Sequence, residues 1–440
     1  MMSRTRISPV SSQSFIMNRS LVGCWINVVV LLCVAVSAIG CTPDATFSLN
    51  ALYLRKQEKK LDERDEKGNV QVFRFDSQHR RDVGTILVGL FGTPDEPNVP
   101  AVAEIDSSKI IDLGRLEIAA GPVGSDIDGN AVGLYREHCA HCHGVTGNGA
   151  GPTGGFLNPY PRDFRRGIFK FKSTPIGQKP THDDLHRIIT NGSANTAMPS
   201  FRLLSEPELE SLIHYVKYLA IRGEVERQLM DLLLELDLEE NERLIDVDKK
   251  GTDVYSQSID NINEIVSDVF SRWERAESAV TEVPQRPWSD DDLEARKRAI
   301  EAGRELFYGK LDCKKCHGDA AIGDGELGNY DKWAEEFTKE LNIDPKKDPS
   351  AFDEFIALGA FPPRTVRPRN LRLGVYRGGQ RPVDLYWRVK NGIDGTPMPA
   401  APGNVAAEDI WNVIEYVRSL PYEYISRPHE QLVENEKPTH

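Results

Sequence analysis

Apolar positions along the chain gather into a few periodic stretches separated by polar, glycine-rich or proline-rich ones. Leu209, Leu212, Ile213, Val216 and Leu219 recur at three- and four-residue spacing and predict a helix over 206–220. The same period predicts helices over 182–190 and 259–279, and Gly133 to Cys139 reads as the end of another. Pro284 and Pro287 interrupt the pattern, and Ser289 reads as the N-cap of a helix running to Phe307. Arg227 to Arg243 is acidic with a leucine-rich stripe, which predicts a helical connector over 223–292. Before residue 131 the pattern is sparser. Gln57 to Lys67 is charged and fits a helix or a tether. Val70 to Phe75 alternates as a short strand does, and Asp82 to Phe91 reads as a short helix ended by Gly92-Thr93-Pro94-Asp95. Residues 42–130 therefore read as a spacer with a small docking element.

Residues 21–40 are apolar and uncharged, and Arg4, Arg6 and Arg19 precede them, which is the layout of an export signal. Met17 offers a more conventional charged start. The run ends Ser37-Ala38-Ile39-Gly40-Cys41, which resembles the lipobox of bacterial lipoproteins, with Ala38 where leucine is usual. That resemblance implies that the export signal with its lipobox-like end, 1–41, is cut before Cys41, which becomes the lipidated first residue. An uncleaved anchor is the alternative, since ~20 apolar residues can span a bilayer. Either arrangement puts the rest of the chain on the periplasmic side of a bacterial membrane. The tail over 423–440 is polar.

One short stretch carries unusual chemistry: Cys139-Ala140-His141-Cys142-His143, which recurs as Cys313-Lys314-Lys315-Cys316-His317. Two thiols three residues apart and an adjacent histidine suit covalent attachment of haem c, each thiol joining one vinyl group and His143 or His317 binding iron. A zinc site would need a second paired set of ligands, and a redox disulfide would not need the trailing histidine. The chain has seven cysteines. Besides these four they are Cys24, Cys33 and Cys41, so the globular part has none to spare for a structural disulfide.

The surroundings of the motif repeat as well. Asp184-Leu185, Asn191-Gly192 and Thr196-x-Met198-Pro199 recur 200 residues later as Asp384-Leu385, Asn391-Gly392 and Thr396-x-Met398-Pro399. Pro161-Arg162-Asp163-Phe164-Arg165-x-Gly167 is echoed by Pro368-Arg369-Asn370-Leu371-Arg372-x-Gly374. Such a repeat implies two copies of one structural unit, over 131–222 and 293–422, the second with an inserted helix and loop between Leu327 and Pro363. Met198 and Met398 are the candidate sixth ligands, since a thioether stabilises ferrous iron and a following proline stiffens its loop. His138, His141, His182, His186 and His214 are rivals in the first copy only. Arg162 and Arg369 are candidates to pair with haem propionates.

The order helix, haem motif, loop, helix, Met-Pro loop, terminal helix resembles the class I cytochrome c fold, over both copies but not over 42–130 or 223–292. The resemblance implies a mainly α chain of two tandem cytochrome c domains, two covalent haem c groups, and redox proteins as partners. The net charge of -13 argues against nucleic acid. Lys310, Lys314, Lys315, Arg364, Arg367, Arg369, Arg372, Arg377 and Arg381 form a basic region that suits an acidic partner. The reading is a membrane-attached relay of single electrons, an electron carrier rather than a stand-alone enzyme. Three alternatives stand beside it: a haem-bearing subunit of a larger oxidase or quinol-oxidising complex, an enzyme resembling the di-haem peroxidases, and a ligand sensor. The last two need an iron with an open position.

Overall fold

The computed structural model describes residues 44–422 except 237, 239–241, 331–334, 336–338, 340 and 345. Cys41, the export signal and the tail lie outside the described residues. Among the described residues no helix is long and apolar enough to cross a membrane.

The chain is mainly helical, in agreement with the periodic pattern. In order come α1 (Ala51–Leu61), a hairpin of β1 (Glu63–Arg64) with β2 (Val70–Gln71), α2 (Ser77–Phe91), α3 (Ser107–Ile110) and α4 (Leu113–Ala119). A second hairpin, β3 (Gly124–Ser125) with β4 (Ala131–Val132), precedes α5 (Leu134–His138) and α6 (Ala140–His143). Then follow α7 (His182–Asn191), α8 (Glu206–Leu236) and α9 (Asp253–Glu274). The second copy holds α10 (Leu293–Tyr308), α11 (Lys314–His317), α12 (Asp353–Ala357), α13 (Pro382–Asn391) and α14 (Ala407–Ser419).

Helix α8 organises the first half. It is continuous through 222, where the sequence suggests the end of a unit, and buries residues on every side, from Leu212 and Tyr215 to Leu229 and Met230. A helix buried all round needs neighbours all round. The stretch before residue 131, which reads as a spacer, supplies them. Val83, Leu87, Phe91, Ile111 and Leu116 are buried in the same apolar core as α8. Tyr218 donates its hydroxyl to the Phe91 carbonyl at 2.6 Å, and Tyr215 to that of Pro94 at 3.2 Å. Only Val70 and Gln71 of the expected strand are paired, and both are exposed.

The approach to the two motifs differs. In the second copy α10 is one helix, capped by Asp292, whose carboxylate accepts from the Ala295 amide at 2.9 Å, rather than by Ser289. In the first copy the equivalent run is broken into α4 and α5 by the β3–β4 hairpin. Asp126 holds its turn, accepting from the amides of Asp128 and Asn130 at 2.9 and 2.8 Å. Helix α10 crosses α14 at Gly303, where any Cβ would strike the Asn412 carbonyl. Phe307, Ile410, Val413, Ile414 and Tyr416 close this second core. The insertion carries α12, whose Phe355 packs with Phe352 and with Leu52 of α1, while Glu354 pairs with Arg55 and Lys59.

The two copies meet along a polar seam. Asn391 donates to the Ser173 carbonyl at 3.1 Å and accepts from Thr281 at 2.8 Å. Asp394 accepts from the Gly177 amide at 2.9 Å and lies 3.5 Å from Lys172. Arg187 pairs with Asp184 at 2.7 Å, approaches Asp384 at 3.7 Å and lies over Trp387. Phe171 packs where Gly378 has no side chain; a Cβ there would overlap its ring. Directional bonds of this kind set the orientation of the copies as well as their contact.

Candidate functional site

Each motif folds as one helical turn. The amides of Cys142 and His143 bond to the Cys139 carbonyl at 3.1 and 2.9 Å, and the His317 amide bonds to that of Cys313 at 2.9 Å. None of the four motif cysteines is in a disulfide. Burial pushes the Cys139 and Cys313 thiols up to about 12. Cys142 and Cys316 are less enclosed, with Thr153 Oγ1 at 3.2 Å from one sulfur and Glu326 at 3.6 Å from the other.

The two histidines are held alike. His143 Nδ1 lies 2.9 Å from the Arg162 carbonyl, and His317 Nδ1 lies 3.0 Å from the Arg369 carbonyl. A carbonyl can only accept, so each Nδ1 carries the proton. Burial holds His143 neutral, its pKa lowered to about 4, and moves His317 in the same direction. A neutral imidazole protonated at Nδ1 keeps its Nε2 lone pair. That is the tautomer a metal ligand needs, with the outer nitrogen fixed by a second group. Phe164 stacks on His143 at 4.4 Å and fixes the ring plane.

The methionine loops also match. Thr196 donates its hydroxyl to the Ser193 carbonyl at 2.7 Å and accepts from the Met198 amide at 3.1 Å. Thr396 does the same with Ile393 at 2.8 Å and Met398 at 3.2 Å. Each loop leaves its helix at a glycine with positive φ, Gly192 or Gly392, where a Cβ would strike the loop backbone.

These groups line one cavity of about 740 Å³ that extends across the seam. His143, Met198 and Arg162 line it from one copy, and His317, Met398 and Arg369 from the other. All four cysteines border it too. The fit to covalent haem is chemical: two thiols at the right spacing, a histidine of the right tautomer and a thioether, twice over, on an apolar space. Arg162 and Arg369, expected beside propionates, both border this space and both lend their backbone carbonyls to the motif histidines.

The rival histidines divide. His138 and His141 border the cavity, with His138 edge-on to Phe201 at 6.0 Å. His182, Glu210 and His214 cluster elsewhere, with His182 Nε2 2.9 Å and His214 Nε2 3.8 Å from the Glu210 carboxylate. The Asp112 amide donates to His214 Nδ1 at 3.1 Å, and Lys217 lies 3.2 Å from His182 Nδ1. With Nδ1 accepting in each ring, His182 donates from Nε2 to Glu210 and His214 turns its Nε2–H toward the same carboxylate. Much of the expected basic region is engaged within the chain: Lys310 pairs with Asp409 at 3.0 Å, Arg364 donates to the Leu157 carbonyl at 2.6 Å, and Arg381 pairs with Asp384 at 2.8 Å.

Arg377 and Arg388 border the cavity and were not singled out as site residues by sequence reasoning. A signal for Arg377 was available. The offset between Arg162 and Arg369 also relates Lys170 to Arg377, a cation in each copy. Arg388 has no charged counterpart, since Ile188 stands at its repeat position.

Residues 130–216 and 298–417 match the family described as "Cytochrome C oxidase, cbb3-type, subunit III". No curated protein matches the chain. Among solved structures the chain is similar to one from the Kuenenia stuttgartiensis reducing HAO-like protein complex Kustc0457/Kustc0458, at 24% identity, with 66% of this chain and 94% of that one covered. The TM-score of 0.41 is too low for that likeness to bear on fold or function. The two matched stretches are the two copies of the repeat, each with its motif and its methionine loop.

Proposed function

We propose that this chain is a cytochrome c, as its two matched segments suggest, that it carries two covalent haem c groups and that it relays single electrons between redox proteins. The observation that carries this reading is the duplicated set of thiols, Nδ1-protonated histidine and methionine around one cavity. A haem bound there supplies a one-electron couple at iron.

The chain's own residues do the rest. Cys139 with Cys142, and Cys313 with Cys316, tether the rings. His143 and His317 offer neutral lone pairs, and the backbone carbonyls of Arg162 and Arg369 keep the outer proton in place. Met198 and Met398 complete each set from loops held by threonine, so ligand positions need not rearrange between oxidation states. The apolar walls exclude water. Arg162 and Arg369 offer positive charge to propionates.

Through Cys41 the protein is held on the outer face of a bacterial membrane. The described match to an oxidase subunit favours a second reading, a haem-bearing subunit of a larger oxidase or quinol-oxidising complex. Both readings predict the same first result. An optical spectrum of the purified protein, oxidised and reduced, shows two haems per chain and the weak near-red band of methionine sulfur on ferric iron at full strength. One haem, or that band at half strength, refutes the relay and favours a peroxidase-like enzyme or a sensor. Isolation of the protein with stoichiometric partner subunits decides for the complex.

A further inference from the structure

Outside the cavity, α7 and α8 of the first copy meet through ligating side chains. His182 and His186 stand one turn apart on α7, and Glu206 and Glu210 stand one turn apart on α8. Residues four apart share a helix face. His186 Nε2 lies 2.9 Å from the Glu206 carboxylate. One ligand atom from each of His186, Glu206 and Glu210 falls within 4.8 Å of the others. Atoms gathered that closely can surround one ion, since zinc holds nitrogen and oxygen donors at about 2.0–2.2 Å.

The lone pairs suit such an ion. Thr190 Oγ1 lies 3.5 Å from His186 Nδ1. A hydroxyl can accept, so Nδ1 can keep the proton while Nε2 turns its lone pair toward Glu206. Two further imidazoles orient Glu210: His182 donates to it at 2.9 Å, and His214, one turn along α8, lies 3.8 Å away. Outer partners of this kind fix a carboxylate that binds a metal. Lys217 meets His182 at Nδ1, the ring nitrogen turned away from that carboxylate. Glu206 is exposed, and His186 and Glu210 are half-buried, so an ion can reach them from solvent.

The second copy closes the same helix contact differently. Tyr386 stands at the repeat position of His186, and Trp411 at that of Glu210 when Tyr215 is aligned with Tyr416. Their rings pack at 4.9 Å between α13 and α14. Ala407 stands where Glu206 does. The fold thus joins these helices without any of the three residues, and packing alone does not account for them in the first copy.

We propose that His186, Glu206 and Glu210 bind a zinc ion, which clamps α7 to α8 behind the Met198 loop. Two carboxylates balance the charge of the ion, the imidazole gives a third ligand, and water takes the fourth position. The nitrogen donor favours zinc over calcium and magnesium, which take oxygen ligands. Thr190, one turn after His186, holds the loop: its carbonyl accepts from the Phe201 amide at 3.1 Å and from Ser200 Oγ at 2.7 Å. A bound ion therefore steadies the end of α7 from which the loop departs. The site stands whether or not the haem reading does.

The test is calorimetric titration of zinc chloride into the untagged, chelator-treated protein. One ion per chain is expected to bind at micromolar zinc. Glu206→Gln, an exposed change at the start of α8, and His186→Ala should each weaken binding at least about a hundredfold. Asp183→Asn, at an exposed position of α7 outside the set, should leave the affinity within about threefold of wild type. Magnesium should bind at least about a hundredfold more weakly than zinc. Saturating zinc should raise the thermal unfolding midpoint of the wild type and leave that of Glu206→Gln unchanged. The proposal is overturned if the wild type takes up zinc only at millimolar concentration or not at all. It is also overturned if Glu206→Gln and His186→Ala bind as tightly as wild type, or if Asp183→Asn weakens binding as much as they do.

Discussion

Glu224 joins α8 to the elements that wall the cavity, and its removal gives a prediction with a worked magnitude. Its side chain is fully buried. It pairs with Lys179, accepts from Trp273 Nε1 at 2.9 Å and lies 3.9 Å from Arg272. Glu224→Gln keeps an acceptor for Trp273 and removes the charge, leaving the Lys179 ammonium buried beside the Gly167 carbonyl at 3.1 Å. Breaking a buried pair in this way costs about 3–5 kcal/mol. An upper bound follows independently. Lys179 can always shed its proton, and at pH 7 that costs ~4.6 kcal/mol from an ordinary lysine. Urea unfolding of the purified protein, followed by circular dichroism, should therefore show Glu224→Gln less stable by about 4 kcal/mol at pH 7. By pH 9 the deprotonation cost falls to ~1.9 kcal/mol, so about 2 kcal/mol of the difference should return. The double variant Lys179→Met/Glu224→Gln removes both charges and should recover more than half of the loss. A single variant within about 1 kcal/mol of wild type at pH 7 refutes the reasoning, as does a double variant no more stable than the single one.

Further outcomes follow from the same geometry. Met198→Ala and Met398→Ala should each keep two haems and halve the near-red band; either variant leaving that band intact removes the residue from the ligand set. Burial lowers the His214 pKa to about 4, with Lys217 and His182 adding to it and Glu210 and Asp112 opposing it. The folded form thus binds the proton more weakly than the unfolded form. The His214 contribution is whole above pH 6.5 and is lost as pH falls toward 4, by roughly 3 kcal/mol. His214→Gln should flatten stability over that window, and a variant with the wild-type acid slope refutes the assignment. Gly303→Ala should destabilise by about 2 kcal/mol through collision with the Asn412 carbonyl, although alanine ordinarily favours a helix interior by about 1 kcal/mol. A more stable variant in thermal unfolding refutes that contact.

The two Cys-x-x-Cys-His motifs were legible because the pattern fixes residue types over five positions, and nothing distant is needed to read them. The methionines were legible through the repeat, which preserves Thr-x-Met-Pro in both copies. Helices α7, α9 and α10 were legible from their apolar period, to within a few residues at their ends. The place of residues 45–120 in the core was not, although Asp82 to Phe91 read as a helix. Ile111 and Leu116 look like scattered apolar positions until α8 is known to need cover on every side. The run through 222 was missed for a related reason: the apolar face of α8 continues past the repeat, and only the packing of α2 and α9 shows why. The interrupted approach to Cys139 depends on a turn at Asp126, whose local signal is weak beside that of a helix.

The sequence by itself determined the duplicated motif with its methionine loop and the predominance of helix, because these rest on residue identity and on periods of a few positions. Only the tertiary structure decided that the two sites open on one cavity and that His143 and His317 carry their protons at Nδ1. Those features depend on groups hundreds of positions apart, or on a backbone carbonyl whose place no local pattern records. Hydrogen-bond direction and burial act through space, and the folded chain alone brings their partners together.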